Sequence, residues 1–164
     1  MANSLEVQIG DLLRKRELKL ALAESCSGGL IGDRITDVPG SSEYFLGGVV
    51  AYAYAAKVAL LGVSWDTLNT KGAVSQETVL EMAHGARRIL NTDIAVSVTG
   101  IAGPGGGTPE KPVGTTWIGL VTKEGQWTRL FRFSGDREEN KKSSANAALE
   151  MLLDYLQDKL GQSL

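Results

Sequence analysis

One cysteine and one histidine are all that this sequence holds of the two side chains most often recruited for reactive or metal sites. With Cys26 alone, no intramolecular disulfide framework is possible. Cys26 and His84 together fall short of the nitrogen and sulfur ligands of a zinc centre. The acidic residues are scattered rather than clustered, so no magnesium site is expected either, and the reading is of a protein without metal or cofactor. No apolar run approaches the roughly 20 residues needed to span a bilayer. The opening stretch 1–13 carries Glu6 and Asp11 and lacks the basic-then-apolar layout of a signal peptide, so a cytoplasmic protein without membrane contact is expected. Net charge is −2 and aromatics make up 6% of the residues, so no basic face with interleaved rings is available for nucleic acid. Common fingerprints are missing as well. There is no glycine-rich loop closing in Gly-Lys-Ser or Gly-Lys-Thr, no G-x-G-x-x-G after the first strand, no G-x-S-x-G elbow and no S-x-x-K tetrad.

What is abundant is glycine. The 20 glycines sit in short groups beside hydroxyl residues, a pattern of backbone approaching a ligand rather than of linkers or repeats. The chain's 164 residues suit one domain with a genuine core, taken here as 1–164. Leu5, Ile9, Leu12 and Leu13 recur at helical spacing. Residues 18–23 read as a buried strand that enters the turn Glu24-Ser25-Cys26-Ser27-Gly28-Gly29, after which Leu30, Ile31, Arg34 and Ile35 resume a helical period. A second strand is expected over 47–53 and an alanine-rich helix over 55–61. Ser75 is placed to cap a helix over 76–90. A third strand over 94–98 precedes the glycine-rich stretch 100–107; a hairpin over 113–133 and a final helix from about 137 to 160 complete the chain. The expected fold is a single α/β domain, three-layer-like, with a mixed sheet packed by helices.

Ligands in open α/β sheets gather where strands end and loops enter helices. Three loops rich in glycine and hydroxyls qualify: 24–29, 40–48, and 99–107 together with Lys111. A serine nucleophile needs a base. His84 falls opposite the apolar stripe of its helix, where a solvated surface role is expected. Lysine is the remaining choice, because burial can lower its pKa towards neutrality. Lys57, between Ala55-Ala56 and Val58-Ala59-Leu60-Leu61, has the most apolar neighbours of any lysine here. Tyr52, five residues earlier, is placed to share its hydrogen-bond network. The competing reading is a lysine snorkelling from a half-buried helix.

Several blocks, in order, resemble the CinA C-terminal domain family, whose stand-alone members are nicotinamide-mononucleotide amidases. They are Ala23-Glu24-Ser25-Cys26-Ser27-Gly28-Gly29, Gly40-Ser41-Ser42, the Tyr52 to Lys57 spacing, Gly72-Ala73-Val74-Ser75, Thr99-Gly100-Ile101-Ala102-Gly103-Pro104, Lys111-Pro112-Val113-Gly114 and Gly135-Asp136-Arg137. The resemblance runs from about Leu5 to Leu156. It implies metal-free hydrolysis of the nicotinamide carboxamide of nicotinamide mononucleotide, giving the acid and ammonia. It places the nucleophile on Ser42, with Ser25 as the alternative, the base on Lys57 and an assisting hydroxyl on Tyr52. Ser25, Thr99, Gly100 and Gly103 fall at ligand-holding positions, and Arg137, Lys141 or Lys111 would hold the phosphate. Two departures stand out. Ser27 replaces a threonine common in the family, and Lys141-Lys142 stand where the family often has an arginine pair, which turns a fork into a point charge. Larger CinA proteins also carry an N-terminal nucleotide-processing domain, and the expectation from this sequence is the amidase-like domain without it. Two alternatives remain open: a non-catalytic nucleotide- or partner-binding module, and an amidase for another small amide. A homo-oligomer is expected, with Phe45, Tyr54 and Trp65 as candidates for an apolar patch.

Overall fold

A computed structural model describes residues 4–164; residues 1–3 of the expected domain and of the opening stretch lie outside them. The chain runs α1 (Leu5–Arg16), β1 (Leu20–Glu24), α2 (Leu30–Thr36), a 3-10 turn (Ser41–Glu43), β2 (Phe45–Val50), α3 (Tyr54–Leu61), α4 (Trp65–Lys71), α5 (Gln76–Leu90), β3 (Ile94–Gly100), β4 (Thr115–Thr122), β5 (Gly125–Arg132) and α6 (Arg137–Leu156). One five-stranded sheet has the order β2-β1-β3-β4-β5. β1 pairs in parallel with β2 on one side and β3 on the other, whereas β3, β4 and β5 pair antiparallel. The sheet is therefore mixed, as the residue patterns imply.

Alternation along β1 builds the layers. Leu20 and Leu22 join Ile9 and Leu13 of α1, Ile31 and Ile35 of α2 and the apolar face of α6 in one core. Ala21 and Ala23 point the other way, into a second core with Leu61 of α3, Leu68 of α4 and Met82, Ala83 and Ala86 of α5. The period of two in a strand delivers successive side chains to opposite faces, and here each face is covered by helices. Small residues line the α5 side so that this helix lies close to the sheet. Ser97 Oγ donates to the Val79 carbonyl at 2.5 Å, and a Cβ on Gly119 would stand 2.7 Å from Ser97 Oγ.

Helix ends follow ordinary capping chemistry. Ser75 accepts from the Thr78 amide at the start of α5, as its position in the sequence implies, and Asp136 with Glu139 forms a reciprocal capping box at the start of α6. Other boundaries move. β1 begins at Leu20, β2 occupies Phe45–Val50 and not 47–53, and α6 ends at Leu156. Helix α4 has no counterpart in the sequence reading, because its seven residues show a single buried apolar position, Leu68, and hence no period.

The tightest helix contact identifies a position that tolerates only glycine. A Cβ on Gly85 of α5 would stand 2.0 Å from the Leu61 carbonyl oxygen of α3. Gly85→Ala is expected to lower stability by about 2 kcal/mol or more through overpacking. Gly105→Ala, which meets nothing within 4 Å, is expected to change it by less than about 1 kcal/mol. Urea unfolding of the two variants checks the contrast.

Candidate active site

Because β1 is flanked by two parallel strands reached in opposite directions, the ends of β1, β2 and β3 open one crevice at the same edge of the sheet. This is the place where open α/β sheets bind ligands. Ser25 follows β1, Ala51 and Tyr52 follow β2, and Thr99 and Gly100 end β3. The register that pairs Glu24 with Val98 continues by one step to set Ser25 beside Thr99. Ser25 is held there by its amide, which donates to the Val98 carbonyl at 3.1 Å. Its parity matches Ala21 and Ala23, so its side chain turns towards the face covered by α3.

Lys57, in the first turns of α3, meets it. The Lys57 side chain is 1% exposed. Its Nζ lies 2.9 Å from Ser25 Oγ, 2.9 Å from the Ala51 carbonyl oxygen and 3.0 Å from the Tyr52 carbonyl oxygen. No carboxylate pairs with it among the described residues. Burial without a counter-charge disfavours the ammonium, and the Lys57 pKa falls from 10.5 to about 8. Cys26 works against this shift, yet its own thiol is pushed up to about 11 by burial and stays uncharged at neutral pH. With two N–H bonds committed to carbonyls, a neutral Lys57 has its lone pair left for the Ser25 hydroxyl proton.

Glu24 sets the turn that carries Ser25. Its carboxylate, 3% exposed, accepts from Ser27 Oγ at 2.6 Å and from the Ile31 and Gly32 amides at 3.0 Å each. It thereby satisfies the free amides at the start of α2, and Gly28 and Gly29 complete the turn with φ of +62° and +104°. Residue patterns alone assign Glu24 no task. A signal is nonetheless present: an acid ends an otherwise apolar strand, seven residues before a helical amide that needs an acceptor.

The remaining expected residues divide. Thr99, 1% exposed, donates from Oγ1 to the Ala73 carbonyl at 2.8 Å and lines the cavity with Gly100 and Gly103. Gly100 has to be small, since a Cβ there would meet Thr116 Oγ1 at 2.6 Å and Cys26 Sγ at 3.1 Å. Tyr52 holds Lys57 through its backbone carbonyl, while the hydroxyl of its exposed ring accepts from Arg137 Nη2 at 2.8 Å. Arg137 Nη1 donates to the Gly103 carbonyl at 2.6 Å. Asn140, buried and unremarked in the sequence, fixes that loop by donating to the carbonyls of Ala102 and Gly135, 3.0 Å each. The cavity enclosed by these groups is about 170 Å³. Lys141 lines a neighbouring groove, and Lys111 is spent on the Lys71 carbonyl at the end of α4, 2.7 Å away.

The expected pairing of Ser42 with Lys57 does not form. Ser42 is exposed in the 3-10 turn that enters β2, whereas Lys57 lies beyond the opposite end of that strand. The six residues of β2 alone separate them by about 17 Å. Of the loop expected over 40–48, residues 45–48 are strand β2 and only 40–44 form a turn, at the far end of that strand; Ser25 is the serine that meets the lysine. His84 is exposed, its Nε2 lying 2.7 Å from Gln126 Oε1. Among the described residues no three His, Cys, Asp or Glu side chains gather closely enough to ligate an ion, and no helix is long and apolar enough to cross a membrane.

Residues 2–156 match the model of the CinA C-terminal domain. The chain belongs to that family. It is 54% identical over 154 residues to a putative competence-damage inducible protein of Halothermothrix orenii, a match covering 93% of this chain and 37% of that protein. A CinA-like protein of Salinibacter ruber is 51% identical over 147 residues, 90% of this chain and 36% of that one. The CinA domain described here therefore spans little more than a third of the length of these relatives. Among solved structures, the CinA superfamily protein of Klebsiella pneumoniae 700603 superposes with a TM-score of 0.90 at 31% identity, covering 94% of this chain and 96% of that one. The competence/damage inducible protein CihA of Agrobacterium tumefaciens gives a TM-score of 0.84 at 41% identity, covering 92% and 96%. The single α/β domain with its mixed sheet is the fold of the CinA superfamily.

The buried lysine makes a measurable claim about this CinA domain. Its amine should titrate near pH 8, observable by NMR of labelled lysine side chains; a value at or above 10 would contradict the site as described. Stability obeys the same shift. The folded pKa lies below the unfolded value near 10.5, so the unfolded chain binds more protons between about pH 8 and 10.5 and stability should rise with pH across that window. Lys57→Met should flatten this rise.

Proposed function

We propose that the domain is a serine amidase using a Ser25–Lys57 pair, and that it hydrolyses the carboxamide of nicotinamide mononucleotide to the acid and ammonia. The observation that carries the chemistry is the carbonyl-held Lys57 amine, its pKa lowered by burial to about 8, at 2.9 Å from Ser25 Oγ. The substrate rests on membership of the CinA C-terminal domain family, by the resemblance set out above.

In the proposed sequence, Ser25 Oγ forms a bond to the amide carbon as its proton passes to Lys57 Nζ. The carbonyl electron pair moves onto oxygen, where backbone amides of the strand-end loops would receive it; one such donor is typically worth about 3 kcal/mol. The C–N bond then breaks, the nitrogen takes the proton from Lys57, and ammonia leaves an ester on Ser25. Water adds to the ester, its proton going to Lys57. The Ser25 oxygen departs with that proton and the acid is released. A pyridinium ring beside Lys57 places a second positive charge near the amine, which further favours its neutral form. Ser25 and Lys57 react, the Ala51 and Tyr52 carbonyls orient the amine, and Thr99, Gly100 and Gly103 shape the cavity.

Ammonia release from nicotinamide mononucleotide by the chelator-treated protein tests this reading. Ser25→Ala and Lys57→Met should each reduce turnover by about 10³-fold or more while remaining folded, and Ser42→Ala should retain activity within a few-fold. The rate should climb through about pH 8 as Lys57 loses its proton and level off above. Turnover that survives Ser25→Ala, or that falls as pH rises through this range, contradicts the proposal. Binding of the nucleotide without ammonia release would favour a non-catalytic binding module.

A further inference from the structure

The proposed reaction leaves an acid where an amide entered, and the inner cavity treats the two differently. Of the titratable side chains that line it, Cys26, Tyr52, Lys57 and Arg137, none is an acid. The elements packed around Lys57 offer none either among the described residues. α3 carries no other charged residue, and Glu24 is spent on the amides of α2. On α5, Glu77 pairs with Lys71, and Glu81 accepts from the Ser64 amide and the Thr67 hydroxyl. His84, Arg87 and Arg88 of the same helix meet Gln126, the Asp93 carbonyl and the Leu61 carbonyl. A protonated Lys57 therefore lacks a counter-charge, and only a ligand in the cavity can bring one.

Ser25 Oγ, 2.9 Å from Lys57 Nζ, responds to the state of that amine. The carbonyls of Ala51 and Tyr52 occupy two N–H groups, so the third direction from Nζ points at the serine. A neutral amine presents a lone pair there. The hydroxyl then donates to it and turns its own lone pairs to the cavity, which suits an amide carbon. An ammonium presents an N–H instead. The hydroxyl then accepts and turns its proton to the cavity, which suits a carboxylate oxygen. One contact thus selects between the two ligands by the direction of a proton.

We infer that the acid product is itself a ligand of this cavity, retained by the Ser25 hydroxyl and the Lys57 ammonium, and that it brakes the domain. This rests on the amidase reading and adds its regulation. When the Ser25 ester is cleaved the product forms as a carboxylic acid. Its proton passes to Lys57 Nζ, since a carboxyl is by far the stronger acid. The transfer leaves a carboxylate facing a buried ammonium, the counter-charge that the protein does not supply. The two must part before the next amide can be attacked. Retention is strongest where Lys57 is protonated in the free protein, below about pH 8, and fades above it.

Calorimetric titration of the wild-type protein with nicotinic acid mononucleotide at pH 7 and pH 9 tests this. Binding should be about tenfold weaker at the higher pH, because the ammonium form is the one that takes the acid. Nicotinamide mononucleotide carries the same remainder, so it is the control. Titrated into Ser25→Ala so that it is not consumed, it should weaken by less than twofold. Lys57→Met should bind the acid without this pH dependence. Acid binding that stays within twofold between the two pH values, or an amide that weakens equally, overturns the inference. Should Lys57→Met fail to fold, the wild type decides by NMR: saturating acid should raise the titration midpoint of the Lys57 amine above about 9, and an unmoved midpoint overturns the inference. None of these measurements needs turnover. Absence of ammonia release by the wild type would therefore sink the amidase reading, while the pH dependence of acid binding still judges the cavity on its own.

Discussion

A lysine amine held out of water by two backbone carbonyls and a serine hydroxyl is the constraint on which the rest of this structure turns. Burying an ammonium without a counter-charge is costly, and proteins relieve that cost by letting the group give up its proton. Here the relief is what makes the group useful. The carbonyls of Ala51 and Tyr52 take two N–H bonds, the serine takes the third direction, and among the described residues no carboxylate pairs with the amine to restore the charge. A salt bridge at this point would have strengthened the ammonium and removed the base.

The surrounding architecture can be understood as the means of holding that arrangement. Two parallel pairings bring the ends of β1, β2 and β3 to one edge, so that a serine after the first, two carbonyls after the second and a threonine on the third converge. Glu24 fixes the turn of the serine by taking the amides of the following helix, and Asn140 fixes the loop that walls the other side. Both are buried polar groups with every contact accounted for by a loop that has to stay in place. Their rigidity allows a cavity as small as this one to be defined at all.

Much of this is legible in the sequence, and the part that is not has a physical reason. The amphipathic period of α1 and α5, the cap at Ser75 and the buried strand before Glu24 all express local chemistry, which is written in adjacent residues. Lys57 stands out by its apolar neighbours alone, and the structure does bury it. Pairing it with Ser42 is the error, although the means of avoiding it lie in the sequence. A strand separates Ser42 from Lys57, and an extended strand carries its two ends to opposite edges of a sheet. Ser25 and Lys57 each come after a strand, and parallel strands joined by a helix bring their exit loops to the same edge. Tyr52 draws attention by its hydroxyl, whereas its backbone carbonyl is the part that meets the lysine; main-chain groups carry no signature in a list of side chains. The convergence of Arg137 with Tyr52, 85 positions apart, is likewise set by tertiary packing and by nothing local.

The claim that Ser25 carries the reaction can be tested at the atom concerned. The protein is mixed with nicotinamide mononucleotide, quenched in acid during turnover, digested and mapped by mass spectrometry for the ester left when ammonia departs. The account predicts that mass on the peptide containing Ser25, and its disappearance in Lys57→Met. An ester on the peptide containing Ser42, or steady ammonia release with no ester on either serine, would contradict it.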